Sequence, residues 1–303
     1  MSEILYIDSD EYEERETVFT EADAGKRLDA ALAEKYPDLS RSRIQSIIGS
    51  GLIRPESVTK NTKVRPGDKI VLVVNDRVPL TAAPEEIAID IVYEDEDVIV
   101  VDKERGMVVH PAKGNLTGTL VNALLWHCNL PEPGIRPGIV HRIDKNTSGL
   151  LVVTKNDATH AALAEQFAAH TVNRRYLAIV KGGFSEDEGI VDAPLGRDPK
   201  NRLKQTVRHI DGKRAVTHWR VKERLNGYTV LELTLETGRT HQIRAHMAYI
   251  GHPVLGDDLY GSSREGQYLH AFELGFDHPK TGERLLFESP LPAYFTDMLK
   301  KLQ

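Results

Sequence analysis

The chain has a single cysteine in 303 residues. Cys128 lies in the apolar, helix-like stretch TLVNALLWHC, so neither a disulfide framework nor a thiolate zinc site is available, and a buried, inert thiol is expected. No apolar run approaches the ~18 residues that a membrane-spanning helix needs. The opening MSEILYIDSDEYEERE has neither the basic nor the apolar region of a secretory signal. A cytoplasmic protein without membrane contact is therefore expected. There is no internal repeat, no low-complexity tract and no Gly-Lys-Ser/Thr of a Walker loop. What remains, 40% hydrophobic and 28% charged, is an ordinary globular composition at a length that suits about two domains.

The net charge of -6 hides an asymmetry. Residues 1–23 hold nine acids against Arg15 alone, whereas residues 24–74 hold ten Lys or Arg against five acids. Lys200 to Arg224 holds nine bases against two acids. Two local basic zones are what a polyanion would feel through counterion release, whatever the overall balance. Each zone is equally readable as a solvated face.

Residues 1–23 lack periodicity and are expected to form an acidic flexible tail. Residues 24–75 read as a small unit. Leu28 and Leu32 lie one helical turn apart before Pro37. Ser40 caps SRSRIQSIIGSG, whose Ile44, Ile47 and Ile48 form one stripe that leaves Arg41 and Arg43 facing solvent. The Pro66-Gly67 turn then feeds a strand from Ile70 to Val74. Residues 76–84, with two prolines in the stretch NDRVPLTAAP, read as a linker. Residues 85–303 read as one mixed domain. IDIVYEDEDVIVVDK suggests two strands joined at an acidic turn. DATHAALAEQFAAH suggests a helix capped by Asn156 or Asp157, and Asn226-Gly227 is the strongest hairpin signal of the chain. RTHQIRAHMAYIG suggests a helix with Ile243, Met247 and Ile250 inward and Gly251 as its stop. Strands in hairpin-like pairs point to an α+β class with a mixed, mainly antiparallel sheet.

HRIDKNTSGLLVVTKN (His141 to Asn156) places Asp144 in a loop before an apolar strand, Leu150 to Val153, bounded by Gly149. Asp144 and Thr147 could simply close a turn there. The kinase-like His-Arg-x-Asp fails, because neither a Gly-rich phosphate loop nor an Asp-Phe-Gly accompanies it. Ser148 lacks a nucleophile elbow. His241 and His246 lie about 140° apart around a helix and cannot share a metal as i, i+4 histidines do. What survives is a carboxylate reaction: Arg142 and Lys145 favour the charged form of Asp144, and an oriented carboxylate can act as a nucleophile. No second carboxylate stands in the motif, which argues against an ordinary glycosidase.

Two resemblances sharpen this. GKRLDAAL, SRSRIQSIIGSGLI and VRPGDKI, from Ala24 to Val74, resemble the αL-motif RNA-binding domain of ribosomal protein S-four. They depart from it where RPESVTK (Arg54 to Lys60) replaces its usual hairpin turn. GIVHRIDKNTSGLLVVTKN, RRYLAIVKG (Arg174 to Gly182), LETGRTHQIRAHMAYIGHPVLGDDLYG (Leu235 to Gly261) and YLHAFELGFDHPKTGERLLFESPLP are similar, in order, to the motifs of the RluA/RluD family of pseudouridine synthases. This likeness runs from about Ile87 to Pro292.

The resemblance implies a pseudouridine synthase catalytic domain that isomerises uridine in structured RNA, large-subunit ribosomal RNA foremost, as a monomer without metal or organic cofactor. It implies Asp144 as the essential aspartate, whether by attack on the ribose C1', by addition to the base or by removal of a ribose proton. Uracil stays bound throughout, so no second carboxylate is required. Tyr176 is expected to stack on the flipped uracil and is a candidate for removing the C5 proton. Arg244 is expected to pair with Asp144, and Arg142 to assist nucleotide flipping. His141, Thr147 and Arg239 are expected at the substrate, and Arg41 and Arg43 at RNA through the small unit. The alternatives are a non-catalytic RNA-binding or ribosome-assembly factor, a synthase acting on transfer RNA, and a hydrolase releasing free uracil.

Overall fold

Asn226-Gly227 joins two strands that pair out to Leu225 opposite Tyr228. Gly227 alone of the two turn residues takes a positive φ, +74°, so the turn is not the doubly left-handed type that this dipeptide usually signals. The hairpin belongs to the larger of two units, Met1–Leu80 and Thr81–Gln303, in a computed structural model that describes residues 6–49, 51–79, 82–111, 115–128, 130, 138–201, 203–261 and 265–303.

The first unit runs β1 (Tyr6–Val18), α1 (Leu28–Lys35), α2 (Arg41–Gly49), β2 (Ile53–Arg54) and β3 (Lys69–Pro79), with sheet order β1-β3-β2. Ser40 Oγ accepts the Arg43 amide at 3.2 Å and so caps α2. Leu28, Leu32, Ile44 and Ile47 close a core against Ile70, Leu72 and Val74 of β3.

Three expectations are corrected here. The acidic segment is not a tail: β1 pairs antiparallel with β3, and its acids meet the unit's cations, Glu16 to Lys69 at 2.8 Å and Glu14 to Arg54 at 2.8 Å. The linker is shorter than expected, because residues 76–79 continue β3; linker residues 80 and 81 lie outside the described residues. Arg43 is buried at 8% exposure, since it stands four residues before Ile47 and therefore on the flank of the apolar stripe. Arg41 stays half exposed, held with Arg27 and Gln45 on the fully buried carboxylate of Asp29.

The second unit runs β4 (Asp90–Glu94), β5 (Val98–Lys103), α3 (Leu120–His127), β6 (Ser148–Thr154), α4 (Asp157–Ala168), β7 (Asn173–Lys181), β8 (Glu188–Asp192), β9 (Leu195–Arg197), β10 (Gln205–Val207), β11 (Val216–Leu225), β12 (Tyr228–Leu235), α5 (Gln242–Tyr249), β13 (Leu269–Asp277), β14 (Arg284–Glu288) and α6 (Ala293–Leu302). Nine strands form one sheet in the order β4-β5-β6-β13-β7-β12-β11-β8, with β14 also on β13; β9 and β10 pair separately. Only β6 and β13 pair in parallel. The class is α+β with a mainly antiparallel sheet. Among the described residues no helix is long and apolar enough to cross a membrane.

The continuous apolar runs of β5 and β6 are explained by burial on both faces. Ile99, Val101, Leu151 and Val153 pack on one side with Leu120 and Leu124 of α3 and Ile243 and Met247 of α5. Val98, Val100, Leu150 and Val152 pack on the other with Leu163 of α4. Each such side chain contributes about 1.5–3 kcal/mol. Gly149 lies inside β6 rather than bounding it. A Cβ there would come within 2.2 Å of the Ala271 carbonyl oxygen, so only glycine lets β13 approach. Asn156 caps α4 by accepting from Thr159 N at 2.9 Å. Cys128 is partly buried, its Sγ 3.4 Å from Leu124 O, and burial raises its thiol pKa.

Candidate active site

The loop before β6 delivers Asp144 to a cleft of about 310 Å³, within the range of small-ligand sites. The opposite wall comes from β7, which supplies Arg174 and Tyr176, and from the start of α5. Of the expected residues, His141, Arg142, Asp144, Thr147, Tyr176, Arg239 and Arg244 all line this cleft. Arg41 and Arg43 belong to the first unit.

Arg244 Nη1 donates to Asp144 Oδ2 at 3.0 Å. The same guanidinium grips Asp257 through Nε at 2.6 Å and Nη2 at 2.9 Å, and reaches Asp258 at 3.3 Å. Burial alone would lower the Arg244 pKa, but Asp257 and Asp144 outweigh it and hold the group above its ordinary value. Burial likewise opposes ionisation of Asp257, and its hydrogen bonds and ion pair with Arg244 reverse the effect, leaving its carboxyl below the usual range. The result is a fixed cation serving one fully buried carboxylate and one carboxylate at the cleft. Tyr260 lies beneath, with the Arg244 guanidinium 5.2 Å from its ring centre, and burial pushes its phenol up to about 12.

His241 starts α5 with a left-handed φ of 55°, a conformation costly for a residue with a side chain. It places Nε2 3.9 Å from Asp144 Oδ2 and Nδ1 3.2 Å from the Tyr260 hydroxyl. Burial lowers its pKa against the pull of Asp144. Lys103, at the end of β5 and 1% exposed, donates to the carbonyls of Glu104 at 2.7 Å, Met107 at 2.9 Å and Lys145 at 3.2 Å. It thereby ties down the residue after Asp144, and burial pushes its ammonium down to about 7 although Asp144 pulls the other way.

Two of the expected substrate contacts are used internally. His141 Nε2 accepts the Val152 amide at 3.0 Å while its ring stacks on Phe167; this enclosure pushes it down to about 3, so the ring is neutral. Thr147, 2% exposed, accepts from Gln267 Nε2 at 3.1 Å. Arg239 and Arg142 are exposed at the cleft, and Arg239 Nε donates to Arg214 O at 3.1 Å. Tyr176 is 7% exposed, and burial raises its phenol above the ordinary value.

Asp257, Asp258, Tyr260 and Lys103 are not identified from sequence. The first three sit in GDDLYG, where two adjacent acids before a tyrosine were the available signal. Lys103 offered only a lone base ending an apolar strand. Among the described residues one group has metal-ligand spacing, Asp95, Asp97 and His278. Asp95 already accepts from Tyr93, from the Asp97 and Val98 amides and from His278, and Lys280 reaches Asp97 at 3.5 Å, so this is a satisfied turn.

A family profile described as RNA pseudouridylate synthase matches residues 97–249. An uncharacterized RNA pseudouridine synthase, YlyB, of Bacillus subtilis (strain 168) is 49% identical over 294 residues, 94% of this chain and 96% of its own. The ribosomal large subunit pseudouridine synthase D of Zymomonas mobilis is 47% identical over 311 residues, 95% and 97% of the two chains. Human RNA pseudouridylate synthase domain containing 1 superposes with a TM-score of 0.56 at 29% identity, over 69% of this chain and 85% of that one. The profile over half of the chain and the two bacterial relatives over nearly all of it place the chain in the RNA pseudouridylate synthase family, the isomerases that convert uridine to pseudouridine in RNA.

Proposed function

We propose that the chain isomerises uridines of large-subunit ribosomal RNA and that Asp144 is the acting carboxylate. The observation that carries the residue assignment is the 3.0 Å contact between Asp144 Oδ2 and Arg244 Nη1 at the cleft. With Oδ2 held by Arg244, Oδ1 is the oxygen turned to substrate. In the reaction the bond between uracil N1 and ribose C1' breaks, uracil turns, C5 bonds to C1', and C5 gives up its proton. N1 ends with a proton in place of its bond to C1', which balances the proton lost from C5; no water is consumed and uracil is retained, so one carboxylate suffices. Attack on C1', addition to the base and removal of a ribose proton all use the same oxygen.

Tyr176 is the wall on which the flipped uracil stacks. Burial raises its phenol above the ordinary value and so favours the protonated form, and Tyr176 takes the C5 proton only by passing its own to a partner. Arg142 occupies the rim, where a cation can replace the flipped base. The large-subunit substrate is supported by the name of the Zymomonas relative. The first unit is read as an S-four-like RNA anchor. Its contact falls to Arg27 and Arg41, whose side chains are 41% and 52% exposed, and not to buried Arg43.

Chemical mapping of pseudouridine in ribosomal RNA from cells lacking the protein, complemented with wild type or Asp144→Asn, tests the proposal. Sites lost in the deletion should return with wild type alone. Their return with Asp144→Asn overturns the carboxylate assignment, and an unchanged map overturns the ribosomal substrate.

A further inference from the structure

Ile210 is 101% exposed and Leu203 is 72% exposed, two aliphatic side chains left in water within the most basic segment of the chain. Isolated surface aliphatics are common, but Ile210 is held out by a built turn. Arg208 grips Asp211 through two nitrogens, Nη2 at 2.7 Å, and the Gly212 amide donates to Arg208 O at 2.9 Å. Gly212 admits no side chain, because a Cβ would lie 2.3 Å from Arg208 O. The turn is hung on the start of β9 and the residue before it, through Lys213 N to Leu195 O and Arg208 N to Pro194 O, both at 2.8 Å.

The arm is chained to the cleft at two points. Gln205 N donates to the Tyr260 hydroxyl at 2.7 Å, and Tyr260 underlies Arg244. Arg214 O accepts from Arg239, which lines the cleft. Lys213 and Arg214, both exposed, follow Ile210 in the chain, and exposed Lys200 precedes Leu203.

We infer that this arm is an RNA wedge: Ile210, in the turn that follows β10, enters the base stack next to the target uridine and opens it, while neighbouring cations hold the phosphates. The inference rests on the reading that the 200–224 segment faces RNA. Cations fit a polyanion and not an apolar protein face, and an aliphatic side chain on a rigid support is how proteins unstack a base step. The chemistry needs an extruded base, and Arg142 at the cleft serves the target position itself, which leaves the adjacent step to the arm.

The test compares kcat/KM on transcribed large-subunit ribosomal RNA with kcat/KM on a short single-stranded oligonucleotide carrying the same uridine. Ile210→Ser should lose about tenfold more on the structured RNA than on the oligonucleotide, and Ile210→Phe, which still stacks, should recover most of it. An equal loss on both substrates, or none, overturns the wedge. So does loss of a dimer by Ile210→Ser in sedimentation, which would assign the side chain to a second copy. Lys213→Ala with Arg214→Ala tests the underlying reading separately: the salt dependence of RNA binding should become shallower. An unchanged slope overturns the placement of RNA on this segment, whereas a shallower slope with an inert Ile210→Ser overturns the wedge alone.

Discussion

Arg244 and Asp144, 100 residues apart in the chain, meet at 3.0 Å in the cleft. The contact depends on a planar guanidinium, since Nη1 serves Asp144 while Nε and Nη2 serve Asp257. A lysine offers a single nitrogen and cannot hold both. Arg244→Lys should therefore lower kcat by about 100-fold, or about 2.7 kcal/mol, with a smaller change in KM. Steady-state assay by tritium release from C5-labelled RNA checks it; a variant at wild-type kcat would show that Asp144 orients itself.

Asp257 is fully buried and forms a two-point pair with Arg244. Replacing it by Asn leaves the arginine short of one counter-charge. Breaking a buried pair costs about 3–5 kcal/mol, so Asp257→Asn should lower the urea midpoint and reduce kcat together. Loss of kcat at unchanged stability would mean that Asp257 acts on substrate instead.

Gly149 combines a φ of +111° with the 2.2 Å approach to Ala271. Gly149→Ala should destabilise the catalytic unit by about 3 kcal/mol through overpacking and backbone strain. Chemical unfolding monitored at a tryptophan reads this directly, and a stable Gly149→Ala would show that β13 can shift without cost.

His141 is held neutral, its pKa pushed down to about 3. Below about pH 6.5 the unfolded chain takes up a proton that the folded chain refuses. Stability from this group is therefore complete above about 6.5 and is lost as pH falls toward 3, by about 1.4 kcal/mol per unit. The unfolding free energy of wild type minus that of His141→Gln should shrink over that window. A constant difference would place the His141 proton equilibrium outside it.

Local signals were legible and distant ones were not. The Asn156 cap, the Asn226-Gly227 hairpin and the α5 stripe each depend on neighbours a few residues away, and each formed as the residues suggested. Asp144 could be placed before a buried strand because the apolar run beside it is contiguous. By contrast, β1 carries no apolar alternation, and its partner β3 lies more than 50 residues on. Arg43 was misplaced because its position on the stripe depends on which flank the sheet covers. Lys103 and Asp257 take their meaning from backbone carbonyls and an arginine supplied by other segments.

β13 lies between β6 and β7 in the sheet, yet follows both in the chain by roughly 90 residues or more. During synthesis, the half that carries the Asp144 loop and the half that carries Tyr176 emerge as two separate sets of strands, each with an open edge. Residues 269–277 add the strand that pairs with both sets. A nascent chain stalled before that point would have both cleft walls and α5, but no strand to join the walls in one sheet. The strand that joins the two halves of the sheet is thus made only after both of them.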